Sequence, residues 1–359
     1  MNIDIIDLRL GGSDHHWLSH ITNRPIRCYD SHLLINKLPV FIVSDFHLKN
    51  RFDFFLYLDK NNIKYGLIHT SDENYTHSLR TYFLDSCIFV IRQYYRPTGG
   101  ISQFLKLWLS SFQHRTIYRY KDELLTSLLF KTVYRMRDIS PTSFTRQTLP
   151  KISLSKVKFI PLGYFDGIGN IKPNEDEWID VVDRAIVWSF CGDTSKRDRK
   201  PMIKALSKSS SGYVHENVGW MSNKHISPEE YKNIFLRSQF VPCPMGYVNL
   251  ETARIYEALE SGSIPLILKT HSFQPYDYFS SLLGEHPLPT FYNWEEAASF
   301  ISEIDNISLH NLSVRIRSWW KNYKLDLTIN INEVFNSVKQ DDFLKQNIYL
   351  PNDFDPSTM

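Results

Sequence analysis

An arginine and a glutamate lie three residues apart in a predicted helix of the second half of the chain. Arg254 and Glu257 fall on nearly the same face of the helix predicted over Thr252–Ser261. An arginine can bind a phosphate through two parallel hydrogen bonds, and a carboxylate can accept both hydroxyls of a ribose. On spacing alone, an exposed Arg/Glu helix pair, worth a few tenths of a kcal/mol, explains the pattern equally well.

The loop before this helix also favours the interpretation of Arg254 and Glu257 as part of a nucleotide-binding site. Pro244-Met245-Gly246 breaks the chain after a predicted strand, and Asn249 or Thr252 can cap the helix that follows. The free backbone N–H groups and the positive dipole end of a helix N-terminus suit a diphosphate. We therefore expect Gly246, Asn249 and Thr252 to line a nucleotide-diphosphate site with Arg254 and Glu257.

A second strand end carries a glycine followed by basic residues. Phe190-Cys191-Gly192 closes a predicted strand, and Arg197 and Arg199 come next. A glycine at a strand end lets a ligand approach the backbone, and the arginines can neutralise a pyrophosphate without a metal. The alternative interpretation is an ordinary exposed basic loop.

Short apolar runs that alternate with helical periodicity must position these residues. Seven runs predict buried strands: Leu38–Ser44, Tyr65–His69, Cys87–Ile91, Val157–Leu162, Ala185–Phe190, Ser238–Cys243 and Ile264–Leu268. Helices are predicted over Asn50–Asn61, Gly100–Phe112, Asp122–Arg137, Lys200–Ser207, Pro228–Arg237, Thr252–Ser261, Trp294–Ile304 and 310–339. This alternation indicates an α/β protein with parallel sheets.

A concentration of glycine, proline and acidic residues at Gly163–Glu177 marks the expected domain boundary. The predicted division is one Rossmann-like domain over 1–165 and a second Rossmann-like domain over 178–310. A C-terminal helix and tail, 311–359, are expected to pack back toward the first domain. Because ligands bind at the carboxyl ends of parallel strands, the two sheets are expected to face each other across a cleft.

Composition and charge exclude several classes of protein. The 359 residues are 42% hydrophobic and 22% charged, which argues against disorder, collagen and coiled coil, and the net charge is +2. The four cysteines, Cys28, Cys87, Cys191 and Cys243, have no zinc spacing and are expected to be reduced core residues. The first residues lack the features of a signal peptide and no apolar run approaches a membrane span, so a cytoplasmic location is expected.

The order of motifs from Phe190 to Leu268 resembles the exostosin-type (GT47-like) glycosyltransferases, including ribitol-xylosyltransferase-like members. The matching motifs are the FCG followed by basic residues, SQFVPCP, Thr252 with Arg254, Glu257-Ala258-Leu259 and Gly262-Ser263-Ile264-Pro265. In the first half the resemblance extends more weakly to HTSDENY (His69–Tyr75), IRQYYRP (Ile91–Pro97) and IPLGYFDG (Ile160–Gly167). Ser263 stands where the family often has a cysteine, and the membrane anchor of animal members is not found in this sequence.

The resemblance implies a GT-B fold, a nucleotide-sugar donor and inversion at the anomeric carbon. It implies that the donor sits on the second domain, held by Arg197 or Arg199 with Thr252, Arg254 and Glu257. The residue types alone favour the same side chains for binding a diphosphate and a ribose.

No cofactor or metal is expected. A metal-dependent site would need Asp-x-Asp directly after a strand, whereas Asp353-Phe354-Asp355 lies in the polar tail and Glu175-Asp176-Glu177 in the expected linker. Stabilisation of the leaving group by cations and a helix terminus is the favoured hypothesis.

Inversion by direct displacement needs a general base for the acceptor hydroxyl, and first-half strand ends supply the candidates. Glu73 is favoured, then Asp72, both after the strand Tyr65–His69, and then Asp45 after Leu38–Ser44. Each has a structural alternative, such as capping a helix or closing a turn.

Residues 101–160 are strongly basic, with eleven Lys or Arg against three acids, a local charge of +8, and aromatic residues between them. This pattern fits amphipathic helices with solvated faces. It also fits attraction to an anionic acceptor, or peripheral association with a membrane surface. Nucleic acid is not expected as a partner, because no motif for it is present.

These observations predict an inverting, metal-independent GT-B glycosyltransferase that moves a sugar, most simply from a UDP-sugar, to a glycan or lipid-linked glycan. The expected setting is synthesis of a surface polysaccharide, capsule or O-antigen, at the inner face of the membrane. The alternatives are a non-catalytic nucleotide- or glycan-binding protein and a polyol-phosphate or sugar-phosphate transferase.

Overall fold

The computed structural model of the chain divides into two compact units. It describes residues 3–9, 12–29, 34–35, 37–44, 48, 51–70, 81–82, 84–95, 156–166, 178–216, 226–246, 249–271, 276–338 and 348–349, the pairs 34–35 and 348–349 by their backbone. The first unit comprises Met1–Gly12, Thr22–Pro161 and Leu327–Met359. The second comprises Ser13–Ile21 and Leu162–Asp326.

The first unit is built on a parallel sheet of six described strands. Its strands are β1 (Ile3–Asp7), β2 (Ile26–Cys28), β4 (Leu38–Val43), β5 (Tyr65–His69), β6 (Cys87–Arg92) and β7 (Val157–Phe159), in the spatial order β2-β1-β4-β5-β6-β7. All residues of β1, β4 and β5 are buried, as expected for strands that are covered on both faces. β3 (Leu34–Ile35) pairs with β13 (Ile348–Tyr349) in a separate antiparallel ribbon.

The second unit holds a parallel sheet of five described strands. These are β8 (Ile186–Gly192), β9 (Gly212–Glu216), β10 (Ser238–Pro242), β11 (Ile264–Leu268) and β12 (Thr290–Phe291), in the order β12-β11-β10-β8-β9. β8 and β10 are neighbours, with Phe240 opposite Trp188 in register. The loops that follow these two strands therefore emerge at the same edge of the sheet.

Helices follow most of the described strands. Their bounds are α1 (His15–Thr22), α2 (Phe52–Lys60), α3 (Arg199–Ser209), α4 (Pro228–Leu236), α5 (Ala253–Glu260), α6 (Tyr278–Leu283), α7 (Trp294–Glu303) and α8 (Asn306–Asn336). Local sequence fixes several starts: Ser227 caps α4 by accepting the backbone N–H of Glu230 at 3.1 Å, with Pro228 in the first turn. Of the described helices, none is both long and apolar enough to cross a membrane.

The predicted α/β class with two parallel sheets is confirmed, and β5 and β11 have the predicted bounds. Several short elements were missed, among them β1, α1 and β9. The residues of β1 were weighed only as a leader segment, α1 is only eight residues long, and β9 alternates between exposed and partly buried residues at an edge of its sheet. The helices predicted over Gly100–Phe112 and Asp122–Arg137 lie outside the described residues.

The two units differ from the predicted division at both ends of the chain. Ser13–Ile21 is grouped with the second unit because Trp17 packs there against the rings of Tyr164, Tyr256 and Trp320. α8 contributes residues to the second unit as far as Asp326 and to the first from Leu327. Of the expected linker, residues 163–166 belong to the second unit and 167–177 lie outside the described residues.

The cysteines are free, and three of them are buried as predicted. The prediction was wrong for Cys28, which is exposed. It closes β2, a strand at the edge of the first sheet whose residues are partly or fully exposed.

Candidate functional site

The carboxyl edge of the second sheet brings Arg254 to the end of β8. Nη2 of Arg254 donates a hydrogen bond to the carbonyl oxygen of Cys191 at 2.7 Å. Its guanidinium carbon lies 4.6 Å from the centre of the Phe190 ring, a distance that fits a cation–π contact. The two segments that the sequence analysis singled out are therefore in direct contact.

Buried hydrogen-bonding atoms at this edge lack partners within the described part of the chain. They are Nε of Arg254 and Oγ1 of Thr252, the residue that precedes α5. Burial lowers the pKa of Arg254, but Tyr231, Cys243 and Glu257 raise it more, so its pKa lies above the ordinary value. A fixed positive charge, an unused donor and a helix N-terminus therefore converge, which is the chemistry that an anionic ligand requires.

Asn249, in the loop before α5, accepts two hydrogen bonds from backbone N–H groups. Oδ1 of Asn249 accepts the backbone N–H of Glu251 at 2.9 Å, and its carbonyl accepts the N–H of Gly246 at 2.8 Å. Thr252 occupies the N-cap position without a side-chain capping bond. Of the two predicted caps, Thr252 holds the position, and Asn249 instead shapes the turn ahead of it.

Glu257 is buried at 6% exposure, so the interpretation as an exposed helix pair is wrong. Its Oε2 accepts the hydroxyl of Tyr231 at 2.8 Å, and the backbone N–H of Phe165 also donates to the carboxylate. Burial raises the pKa of Glu257, opposed by these hydrogen bonds and by the charge of Arg254.

The two arginines after Gly192 differ in their surroundings. Arg199 is buried, with Nη1 donating to the carbonyl of Asp193 at 2.8 Å and its guanidinium 5.8 Å from the Phe190 ring. Arg197 has a left-handed backbone with a φ of 44°, which is uncommon outside glycine. His271, which follows β11, has its pKa lowered to about 4 by burial and by the nearby charge of Arg197. Arg197 therefore lies at the same edge of the sheet as a neutral imidazole.

Glu251, which sequence reasoning missed, lies just before α5 and links three separate elements through hydrogen bonds. Its carboxylate is 1% exposed and accepts three hydrogen bonds, from the Leu162 backbone N–H at 2.6 Å and from the hydroxyls of Tyr256 and Tyr278 at 2.5 Å each. Burial raises its pKa, opposed by these bonds. Its place two residues before a helix gave no signal of this role.

Ser263, the departure from the family pattern, has a structural role. Its hydroxyl accepts a hydrogen bond from Nη1 of Arg184 at 3.0 Å and donates to the carbonyl oxygen of Phe235. The same guanidinium donates to the carbonyl oxygens of Ser238 and Ser261. Ser263 therefore belongs to a buried network centred on Arg184.

The three candidate bases, Glu73, Asp72 and Asp45, lie outside the described residues, and so does most of the basic stretch 101–160. The described strand ends of the first sheet carry other polar side chains. Asp7 at the end of β1 forms a two-point ion pair with Arg9. His69 and Arg92, which end β5 and β6, are both hydrogen bonded to the hydroxyl of Tyr82. Sequence reasoning gave these residues no role: β1 was not predicted, His69 was taken as the last residue of its strand, and Arg92 follows the predicted strand Cys87–Ile91.

Within the described part of the chain, no group of three or more His, Cys, Asp or Glu side chains could hold a metal ion.

Comparison with known proteins places the candidate site inside a recognised domain. Residues 174–344 match the family model of the RXYLT1 C-terminal domain. Human ribitol-5-phosphate xylosyltransferase 1 is 25% identical over 197 residues, which cover 48% of this chain and 42% of the human protein. The mouse protein is 22% identical over 187 residues, covering 45% and 40%. The aligned segment thus spans about two fifths of these relatives.

Solved structures give more distant likenesses. An alpha1,3-fucosyltransferase is 14% identical, with 94% of this chain and 91% of that chain covered and a TM-score of 0.41. Anabaena Alr3699/HepE in complex with UDP-glucose is 10% identical, with 94% and 100% covered and a TM-score of 0.46. The resemblance read from the motifs is confirmed by these matches: residues 174–344 match the RXYLT1 C-terminal domain model, and the chain is similar to ribitol-5-phosphate xylosyltransferase 1.

Proposed function

We propose that this protein is a glycosyltransferase that binds a nucleotide-sugar at the carboxyl edge of its second sheet. The observation that carries the proposal is the convergence beside Gly192 of Arg254, the N-terminus of α5 and the Thr252 hydroxyl, which has no partner among the described residues. These residues lie within 174–344, the segment that matches the RXYLT1 C-terminal domain model. A UDP-sugar is the donor we propose, bound by Arg197, Arg199, Thr252, Arg254 and Glu257.

The proposed reaction is one direct displacement. An acceptor hydroxyl loses its proton to a base and forms a bond to the anomeric carbon, while the bond from that carbon to the diphosphate oxygen breaks. A single displacement inverts the configuration of that carbon. Negative charge grows on the departing diphosphate, and the Arg254 guanidinium with the helix N-terminus stabilises it without a metal ion.

The base is proposed to be Glu73, with Asp72 and Asp45 as the next candidates. A Glu73→Gln variant should keep nucleotide affinity and lose turnover, because an amide cannot take the acceptor proton. An unchanged kcat would remove Glu73 from this role.

The proposed acceptor is a glycan or lipid-linked glycan that carries negative charge, in surface polysaccharide synthesis at the cytoplasmic face of the membrane. The basic stretch 101–160 supports an anionic partner. Flotation with anionic and neutral vesicles tests the membrane association, and equal failure to bind either would contradict it.

Calorimetric titration with UDP, GDP and CDP, in EDTA and then in Mn²⁺, tests the donor site. We expect one of the three nucleotides to bind at least as tightly in EDTA as in Mn²⁺. Arg254→Lys should weaken that binding by about tenfold or more, because an ammonium cannot make the two-point contact of a guanidinium. The control Arg315→Lys, on the exposed face of α8, should bind like the wild type.

Activity separates an enzyme from a binding protein. Hydrolysis or transfer of the sugar from the nucleotide that binds is expected. Binding without any turnover would point to a nucleotide-binding protein, and activity that EDTA abolishes and Mn²⁺ restores would overturn the metal-independent mechanism.

A further inference from the structure

The carboxylate of Glu257 is held from one side by a tyrosine of the preceding helix. Tyr231 lies in the first half of α4, and its hydroxyl is 2.8 Å from Oε2 of Glu257 on α5. Burial and the neighbouring Glu257 hold the pKa of Tyr231 well above its ordinary value. The phenol therefore stays protonated and donates its proton to the carboxylate.

The Tyr231 ring has little freedom to move away from this position. It packs on the ring of Phe235, with 4.5 Å between the two centres and one helical turn between the residues. Phe235 is fully buried, and α4 is fixed at its start by the Ser227 cap and Pro228. The hydroxyl is consequently presented to Glu257 by a rigid element, not by a flexible loop.

The Glu257 carboxylate has more hydrogen-bond acceptor positions than the two described donors fill. An ionised carboxylate offers about four lone-pair positions. Tyr231 and the backbone N–H of Phe165 fill two of them. The two that remain equal the number that the adjacent 2′ and 3′ hydroxyls of a ribose require.

We infer that Tyr231 is a positioning residue, which holds the Glu257 carboxylate in the orientation that recognises the ribose hydroxyls of the donor. This inference rests on the proposed nucleotide-sugar function. Tyr231 itself does not touch the nucleotide: it fixes the carboxylate that does. The proximity of Arg254 to the same carboxylate and phenol links this ribose subsite to the diphosphate subsite.

The test measures discrimination between ribose and 2′-deoxyribose. Calorimetry gives the dissociation constants of UDP, GDP and CDP and of their 2′-deoxy forms, and the nucleotide that binds the wild type is used throughout. The wild type should prefer the ribose form by about tenfold or more, because the carboxylate loses a hydrogen bond to the deoxy form. Tyr231→Phe should reduce that preference to about twofold, while the control Tyr57→Phe, on α2 of the first unit, should keep it.

A double-mutant cycle with Glu257→Gln distinguishes positioning from a general loss of structure. If Tyr231 acts through Glu257, adding Tyr231→Phe to Glu257→Gln should not reduce the ribose preference further. A Tyr231→Phe protein that keeps the wild-type preference overturns the inference while nucleotide binding, and with it the proposed function, stands. A wild type that binds none of the six nucleotides overturns the proposed function itself.

Discussion

Nη2 of Arg254 lies 2.8 Å from the position that a Cβ atom on Gly192 would occupy. The glycine also has a φ of +155°, a backbone conformation that residues with side chains rarely adopt. The end of β8 is thus shaped so that the guanidinium of a residue on another element can lie directly against its backbone. Gly192 contributes to the candidate site because the absence of a Cβ atom leaves room for the Arg254 guanidinium.

Replacing Gly192 by alanine should displace the Arg254 guanidinium and weaken nucleotide binding by about tenfold, the equivalent of about one charge-assisted hydrogen bond. Calorimetric titration measures this effect. Gly284→Ala is the matched control, because Gly284 also has a positive φ, of 72°, but nothing lies within 4 Å of its added Cβ. The control should lose stability and keep its affinity, and an equal loss of affinity in both variants would contradict the steric mechanism.

The candidate site could be predicted from sequence where one residue type and one spacing carried the chemistry. Gly192, Thr252 and Arg254 were found because a glycine at a strand end and an arginine at a helix start are residue types that suit a phosphate directly. Glu251 was missed because its three donors, Leu162, Tyr256 and Tyr278, come from separate elements. A contact of this kind depends on tertiary packing and has no spacing to recognise.

The fold shows the same limit. Short apolar runs such as β5 and β11 were predicted to the residue, since a parallel strand that is covered on both faces is mostly apolar. The grouping of α1 with the second unit could not be predicted, because the sequence shows that a tryptophan will be buried but not which rings will cover it.

Glu251 should prove essential to stability through its acceptors and not through its charge. Glu251→Leu removes the acceptor of three buried hydrogen bonds and should cost about 3 kcal/mol or more of unfolding free energy, measured by urea denaturation. Glu251→Gln should cost much less, because its carbonyl can still accept from Leu162 and Tyr256 while the Tyr278 hydroxyl turns to accept from the amide. Equal losses in the two variants would contradict this role.

The half-buried imidazole of His271 should make stability depend on pH. Its pKa is about 4 in the folded protein and about 6.5 in an unfolded chain, so between these values the unfolded chain binds more protons. Above pH 6.5 the imidazole is neutral in both states and does not reduce the free energy of unfolding. As the pH falls from 6.5 toward 4, the unfolded chain gains the proton first, so the free energy of unfolding decreases. Urea denaturation of the wild type and of His271→Gln at pH 5, 6, 7 and 8 should show the wild type losing more stability toward pH 5. A difference between the two proteins that stays constant over this range would contradict the prediction.

Trp17 should anchor α1 to the second unit. The side chain is 0% exposed, and ring centres of Tyr164, Tyr256 and Trp320 lie 5.4, 6.4 and 5.9 Å from its own. An eight-residue helix has little stability of its own, so α1 depends on this packing. Trp17→Ala should therefore cost about 3–5 kcal/mol of unfolding free energy, measured by denaturation with circular dichroism. The control Leu325→Ala removes a side chain that is 60% exposed on α8 and should change stability by less than about 0.5 kcal/mol. If both variants unfold at the same urea concentration, α1 is not held by its tryptophan.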